Sequence, residues 1–202
     1  MDIFTLLDSV RTIAQNGLHY AQDPFDRERY QHLMGLVVQN YSEMLAVPGD
    51  AVRAEFMKEI GQITPKIGAD AAIFNENGEI LLMERSDGRG WCLPCGFVEP
   101  GEKPSETVIR EVREETGLDV AIQRLVGVFT RLPNAITGPS TILAVVHLCT
   151  VIGGELRLSH EGKALRYWAI EEMHDWHPNH DRYARAAHTM WQTESLIPAI
   201  SD

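Results

Sequence analysis

"GFVEPGEKPSETVIREVREETGL", residues 96–118, decides how the rest of this chain is read. Pro104 suits the first position of a helix, Glu106 suits its positive end, and Gly117 suits the residue just past the last turn. The spacing therefore predicts a helix over about 104–116. Val108 and Val112, four apart, give it an apolar stripe, while Glu111, Glu114 and Glu115 stand at i, i+3 and i+4 and gather on another face. Like charges at that spacing repel by a few tenths of a kcal/mol per close pair, roughly, so something cationic is expected beside them. Arg110 and Arg113 can supply it as a solvated ion-pair surface, or a bound metal can. In the lead-in loop Gly96 and Gly101 let the backbone bend or approach a ligand, and Glu99 and Glu102 add two carboxylates. Hard oxygen donors of this kind suit Mg²⁺ or Mn²⁺ together with phosphate oxygens.

Gly96, Glu102 and the run Arg110-Glu111-Val112-Arg113-Glu114-Glu115-Thr116-Gly117-Leu118 together resemble a complete Nudix box, with every defined position matched. The resemblance implies an α/β chain, a mixed α/β/α sandwich that hydrolyses a nucleoside diphosphate linked to another moiety, with divalent metal on the box helix. By position, Glu111, Glu114 and Glu115 correspond to the metal-binding carboxylates and the Gly96 carbonyl to a backbone ligand. Arg110 and Glu102 correspond to the pair that orients the glutamates. The family's catalytic base is a box glutamate, for which Glu114 stands here, or a carboxylate on a later loop, for which Glu161 in "LSHEGKALRYW" is the candidate. Glu161 reads equally well as a solvated loop residue.

Just upstream, "WCLPCGF" (91–97) has two readings: a Cys-x-x-Cys dithiol, or the lead-in to the box. A redox dithiol of the thioredoxin type sits at the start of a helix, whereas Cys95 runs into Gly-Phe-Val-Glu-Pro-Gly. The second reading is therefore adopted, with Cys95 standing where the family commonly has glycine. A zinc site lacks a second ligand pair of suitable spacing, and Cys149, in an apolar run, is expected in the core. In "MHDWHPNH", His174, His177 and His180 recur at three-residue steps, but Pro178 breaks any helix there, and a surface turn is expected.

The chain has 202 residues, 44% hydrophobic and 23% charged, enough for one good core or a core with a small appendage. A net charge of −11 disfavours attraction to nucleic acid or an anionic membrane, so a phosphate-bearing ligand needs metal or a local cation. No apolar run of about eighteen residues is present, "MDIFTLLDSV" lacks the basic start of a signal peptide, and three cysteines do not make a secreted disulfide framework. The cytoplasm is the expected location.

Residues 1–62 read as a helical domain that serves packing or dimerisation, and residues 67–202 as the hydrolase domain. Ile3, Leu6, Leu7, Val10, Ile13 and Ala14 mark a first helix up to Gly17. Asp23-Pro24 starts a second, stopped by Pro48, and Asp50 caps a third through Phe56 and Ile60 to Gly61. The Met and aromatic residues here are expected to be core. Beyond "GQITPKIG" the pattern becomes strand-like: "KIGADAAIF" and "EILLMER" flank an Asn77-Gly78 turn, followed by "DVAIQRLVGVFT", "STILAVVHLC" and "ALRYWAI". A last helix is predicted over Arg182 to Trp191.

"AQNGLHYAQDPFDRERY" and "TPKIGADAAIF" resemble the helical extension and first strand of a Nudix branch that includes ADP-ribose and CDP-choline pyrophosphatases. Members of that branch form homodimers through the extension. Pro133, fifteen residues past Leu118, stands about where ADP-ribose-hydrolysing members carry a proline, though "RLPN" also suits an ordinary turn. Tyr20, Phe129, Tyr167 and Trp168 are candidates to stack on a base, and burial explains each equally well. The expected substrate is ADP-ribose, with CDP-choline close behind. The alternatives are a house-cleaning pyrophosphatase for nucleoside triphosphates and a non-catalytic Nudix-fold nucleotide sensor; turnover with Mg²⁺ across a nucleotide panel separates the three.

Overall fold

The computed structural model describes residues 2–58, 64–193 and 198–201. It divides into two units, Met1–Pro65 with Leu132–Thr141, and Lys66–Arg131 with Ile142–Asp202.

In the first unit α1 (Ile3–Tyr20) is capped by Asp2, whose Oδ1 accepts the Thr5 N–H at 3.0 Å, and runs past Gly17 by three residues. α2 (Pro24–Leu45) starts as expected, with Pro24 in the first turn and Asp23 Oδ1 accepting the Phe25 N–H at 2.7 Å. α3 (Gly49–Phe56) takes Pro48 as its N-cap, so Asp50 lies in the first turn and does not cap it. The expected end of this helix at Ile60-Gly61 lies outside the described residues. Leu7, Ala14, Met34, Val37, Tyr41, Val52 and Phe56 are buried together, and the Tyr41 hydroxyl donates to Asp8 Oδ1 at 2.6 Å. Several aromatic and Met side chains expected in this core are instead exposed: Tyr20, Phe25, Met44 and Met57. A helix offers only one face to a small core, and these residues fall off it.

The second unit is built on β1 (Lys66–Ile73), whose alternate residues enter different layers. Ala69, Ala71 and Ile73 pack with Val108 and Val112 of α4 (Pro104–Thr116), whereas Ala72 packs with Tyr183, Ala184, Ala187 and Met190 of α5 (His180–Trp191). β2 (Ile80–Arg85) divides likewise, Leu81 to the α4 side and Ile80 and Leu82 to the α5 side. Each of the buried Ile and Leu side chains contributes about 1.5–3 kcal/mol through burial. The strands form a five-stranded sheet in the order β4-β1-β6-β5-β8 and a three-stranded sheet β3-β2-β7. The further strands are β3 (Trp91–Cys92), β4 (Cys95–Phe97), β5 (Leu118–Arg131), β6 (Ile142–Gly154), β7 (Gly162–Trp168) and β8 (Ile200–Ser201). β1 is parallel to β6 and antiparallel to β4. The larger sheet is therefore mixed and lies between α4 and α5, the α/β/α sandwich that the box implied.

α4 covers the residues that its caps predicted. Gly117 follows it at φ +74°, and a Cβ there would meet the Glu155 carbonyl at 2.5 Å. α5 begins at His180, two residues before the expected start, because Asn179 takes a left-handed conformation (φ 71°) and its carbonyl receives the Tyr183 N–H. Gly117→Ala is expected to cost at least about 1 kcal/mol, read as a lower urea midpoint with an unchanged slope.

Candidate functional site

The carboxylate face of α4 is organised by one arginine. Arg110 Nε donates to Glu102 Oε1 at 2.7 Å and Nη2 to Glu102 Oε2 at 3.0 Å, a two-pronged pairing that ties the lead-in loop to the helix. Thr107 Oγ1 adds a bond to Glu102 Oε2 at 2.7 Å. Arg110 holds the Glu102 carboxyl down at about 2. The remaining prong, Nη1, donates to Glu111 Oε1 at 2.7 Å and to Glu114 Oε2 at 3.2 Å. Arg113 turns away to Asp119 at 2.9 Å and takes no part.

Glu111 lies against the backbone of β4. A Cβ at position 96 would fall 1.9 Å from Glu111 Oε1, so only glycine admits the carboxylate there. Burial raises the Glu111 pKa against the opposing pull of Arg110, and the charges of Glu114 and Glu161 add to the rise. Glu115 is 4% exposed, and its Oε2 accepts the Cys95 N–H at 2.9 Å. Burial pushes its carboxyl up to about 9. Glu161 is exposed, yet its charge reaches both Glu111 and Glu115. The segment that carries it is held to the end of α4 by the Arg157 N–H on the Thr116 carbonyl and the Ser159 N–H on the Glu115 carbonyl.

These features suit a divalent cation. Arg110 already supplies positive charge where Glu111 and Glu114 meet, and Glu115 is a buried carboxyl whose charged form needs a cation beside it. The donor set, glutamate oxygens beside a glycine backbone, is hard and suits Mg²⁺ or Mn²⁺.

The family profile described as "NUDIX domain" matches residues 64–187. The chain belongs to the Nudix family. A second profile, "UDP-X-like, N-terminal oligomerisation domain", matches residues 1–56. Among relatives, YjhB of Bacillus subtilis (strain 168) is 38% identical over 119 residues, 59% of this chain and 57% of that protein. An ADP-ribose pyrophosphatase of Methanocaldococcus jannaschii is 32% identical over 111 residues, 54% of this chain and 64% of that one. The match thus spans under two thirds of either relative. Among solved structures, a UDP-X diphosphatase superposes with a TM-score of 0.58 at 26% identity and covers 93% of each chain. An ADP-ribose pyrophosphatase from Streptococcus suis 89-1591 gives 0.56 at 28% identity, covering 68% of this chain and 98% of its own.

In this Nudix chain Gly96, Glu102, Arg110, Glu111 and Glu114 gather where α4 meets β4, Glu115 is buried beside them against the Cys95 N–H, and the charge of Glu161 acts on Glu111 and Glu115. Tyr20, exposed at the end of α1, and Pro133, buried in its loop, both belong to the first unit. Phe129 corrects the sequence reading: it is 1% exposed and packs its ring 5.0 Å from that of Tyr183, so it is a core residue and presents no face to a base. Tyr167 and Trp168 are half-buried, the latter edge-on to Trp91 at 5.3 Å.

The histidine turn is corrected as well. His174 is exposed, but His177 and His180 are buried, their rings 5.0 Å apart. Sequence reading also missed Asp70, a buried acid in β1 whose carboxyl burial pushes up to about 7. Its one signal was an acid inside the otherwise apolar run "IGADAAIF".

Glu115 gives a pH test. Its folded pKa, about 9, lies above the ordinary 4.5. Between those values the cation-free folded chain holds a proton that the unfolded chain has released, so stability falls as pH rises. With chelator present, the Tm of the wild type relative to Glu115→Gln is expected to drop steadily from about pH 5 to 9. Differential scanning fluorimetry of the two proteins checks this; a constant difference contradicts it.

Proposed function

We propose that this chain is a metal-dependent pyrophosphatase that cleaves the diphosphate linkage of a nucleoside diphosphate conjugate, with ADP-ribose the first substrate to test and CDP-choline close behind. The observation that carries the reading is the α4 face itself: Glu111, Glu114 and Glu115 beside Gly96, with Arg110 and Glu102 bracing them. A pure nucleotide sensor has no physical need for so many acidic side chains facing a phosphate ligand. Relatives named as ADP-ribose pyrophosphatases support the substrate choice.

Glu111, Glu115 and the Gly96 carbonyl are the groups that would hold Mg²⁺ or Mn²⁺, with Glu114 completing the set from the more exposed side. When bound, such a cation polarises the phosphorus, lowers the pKa of a water and offsets charge on the leaving phosphate. Arg110 would keep the glutamate oxygens aimed while Glu102 fixes its guanidinium. Glu161 or Glu114 would take the proton from the attacking water. The net charge of −11 makes this local positive charge a requirement for any diphosphate ligand.

A second reading of the substrate, a UDP-linked conjugate, is favoured by one observation: similarity along 93% of the chain is to a protein titled UDP-X diphosphatase. The N-terminal helices would form a homodimer contact. The oligomerisation profile and the exposed Ile3, Leu6, Ile13, Tyr20 and Phe25 of α1 and α2 support it.

Turnover with Mg²⁺ is to be measured across ADP-ribose, CDP-choline, UDP-sugars and nucleoside triphosphates, with product identification. Preference for a diphosphate conjugate is expected; preference for a triphosphate, or tight binding without turnover, rejects the proposal. Glu114→Gln and Glu115→Gln are each expected to lower kcat at least about 100-fold with circular dichroism unchanged. Light scattering after gel filtration is expected to give twice the chain mass.

A further inference from the structure

The β1–β4 pairing sets Asp70 directly opposite Cys95, so both side chains leave the sheet on the same face. β1 parity identifies that face: Ala72, two residues on from Asp70, packs with α5, while Ala69 and the Gly96 opposite it belong to the α4 side. His180 is the first residue of α5. Three remote positions therefore converge from a strand, a strand end and a helix start, and one ligand atom from each of Asp70, Cys95 and His180 lies within 4.8 Å of the others.

We propose that Asp70, Cys95 and His180, joined by Cys92, form a cation site distinct from the α4 carboxylates and suited to Zn²⁺, which pins the β3–β4 corner to α5. A tetrahedral Zn²⁺ with bonds of about 2.0–2.3 Å holds its ligands roughly 3.3–3.8 Å apart, so the cluster need contract by only about an ångström. Cys92, whose Sγ lies 3.7 Å from the Met83 carbonyl, interacts electrostatically with the Cys95 thiol and is the fourth donor nearest the cluster. His180 Nδ1 lies 3.7 Å from Asp70 Oδ1 and accepts the Leu93 N–H at 3.1 Å, so this nitrogen is an unprotonated acceptor beside the cluster. Binding exchanges that N–H for the metal.

The surroundings favour occupancy. Asp70 is 4% exposed and His180 1%, and the Asp70 carboxyl faces the Cys95 thiol. A buried acid and a buried imidazole beside a half-buried thiol carry polar groups that a cation satisfies together. Thiolates and imidazole select Zn²⁺ over Mg²⁺, the reverse of the all-oxygen set on α4, so each site is matched to a different ion. Four protein ligands leave no open position, which makes this a structural site and not a second centre of hydrolysis. Cys95 links the two, since its thiol faces the cluster and its N–H holds Glu115.

The test uses the full chain, stripped by chelator, kept reduced with a phosphine and titrated with Co²⁺ as a coloured substitute for Zn²⁺. A thiolate-to-cobalt charge-transfer band that saturates at one equivalent and is displaced by Zn²⁺ is expected. Glu111→Gln should retain the band in full, whereas Cys95→Ser, which leaves one thiolate, should roughly halve it or more. Asp70→Asn should weaken Co²⁺ binding at least about tenfold, and Zn²⁺ should raise the Tm of the wild type but not of Cys95→Ser. No such band in wild-type protein with titratable thiols, or a band of undiminished intensity in Cys95→Ser, overturns the proposal. If Cys95→Ser fails to fold by circular dichroism, Asp70→Asn decides, and unchanged Co²⁺ affinity there overturns it equally.

Discussion

The guanidinium of Arg110 is the charge around which the acidic face of α4 is assembled. Without it Glu102, Glu111 and Glu114 would crowd one surface with nothing to offset their repulsion. With it, one prong pair fixes the lead-in loop through Glu102 and the other holds two box glutamates at 2.7 and 3.2 Å. Most of these side chains are partly solvated, so the network contributes more to geometry than to stability. Its value lies in presenting acids whose positions are set before any ligand arrives.

A second constraint comes from the sheet. β4 is only three residues long, yet each of its first two residues serves a different layer. Gly96 clears space for Glu111 on one face, while Cys95 turns its thiol toward Asp70 and His180 on the other and gives its N–H to Glu115. The register of β4 on β1 thus sets the α4 acids and the buried thiol cluster together. A slip of one residue would exchange the two faces and place a side chain where Glu111 now lies.

What was legible in the sequence follows from the range of the interactions. The α4 helix, its caps and its carboxylate face are set by residues within about two turns of one another, and α4 formed over the predicted residues. The Asn77-Gly78 turn, with Gly78 at φ +79°, is likewise local. The surroundings of His177 and His180 are not: Pro178 and polar neighbours suggested a solvated turn, but residues packed on His180 come from β1 and the β3–β4 corner, Asp70 and Leu93 among them, the latter 87 positions away. Phe129 was misplaced for the same reason, since aromatic type is compatible with core or cleft and only Tyr183, far along the chain, decides. Family membership was legible because the box is a local pattern. The general base and the substrate were not, because no local pattern specifies either.

The proposed hydrolysis rests on the α4 acids gripping a divalent cation against a diphosphate. The most direct measurement is anomalous diffraction from crystals grown with Mn²⁺ and a non-hydrolysable nucleoside diphosphate analogue. The expected result is a peak at about 2.1 Å from oxygens of Glu111, Glu115 and the Gly96 carbonyl, with the analogue's phosphates on its far side. Density for the analogue with no Mn²⁺ at those oxygens, and Arg110 still joined to both Glu111 and Glu114, would contradict it.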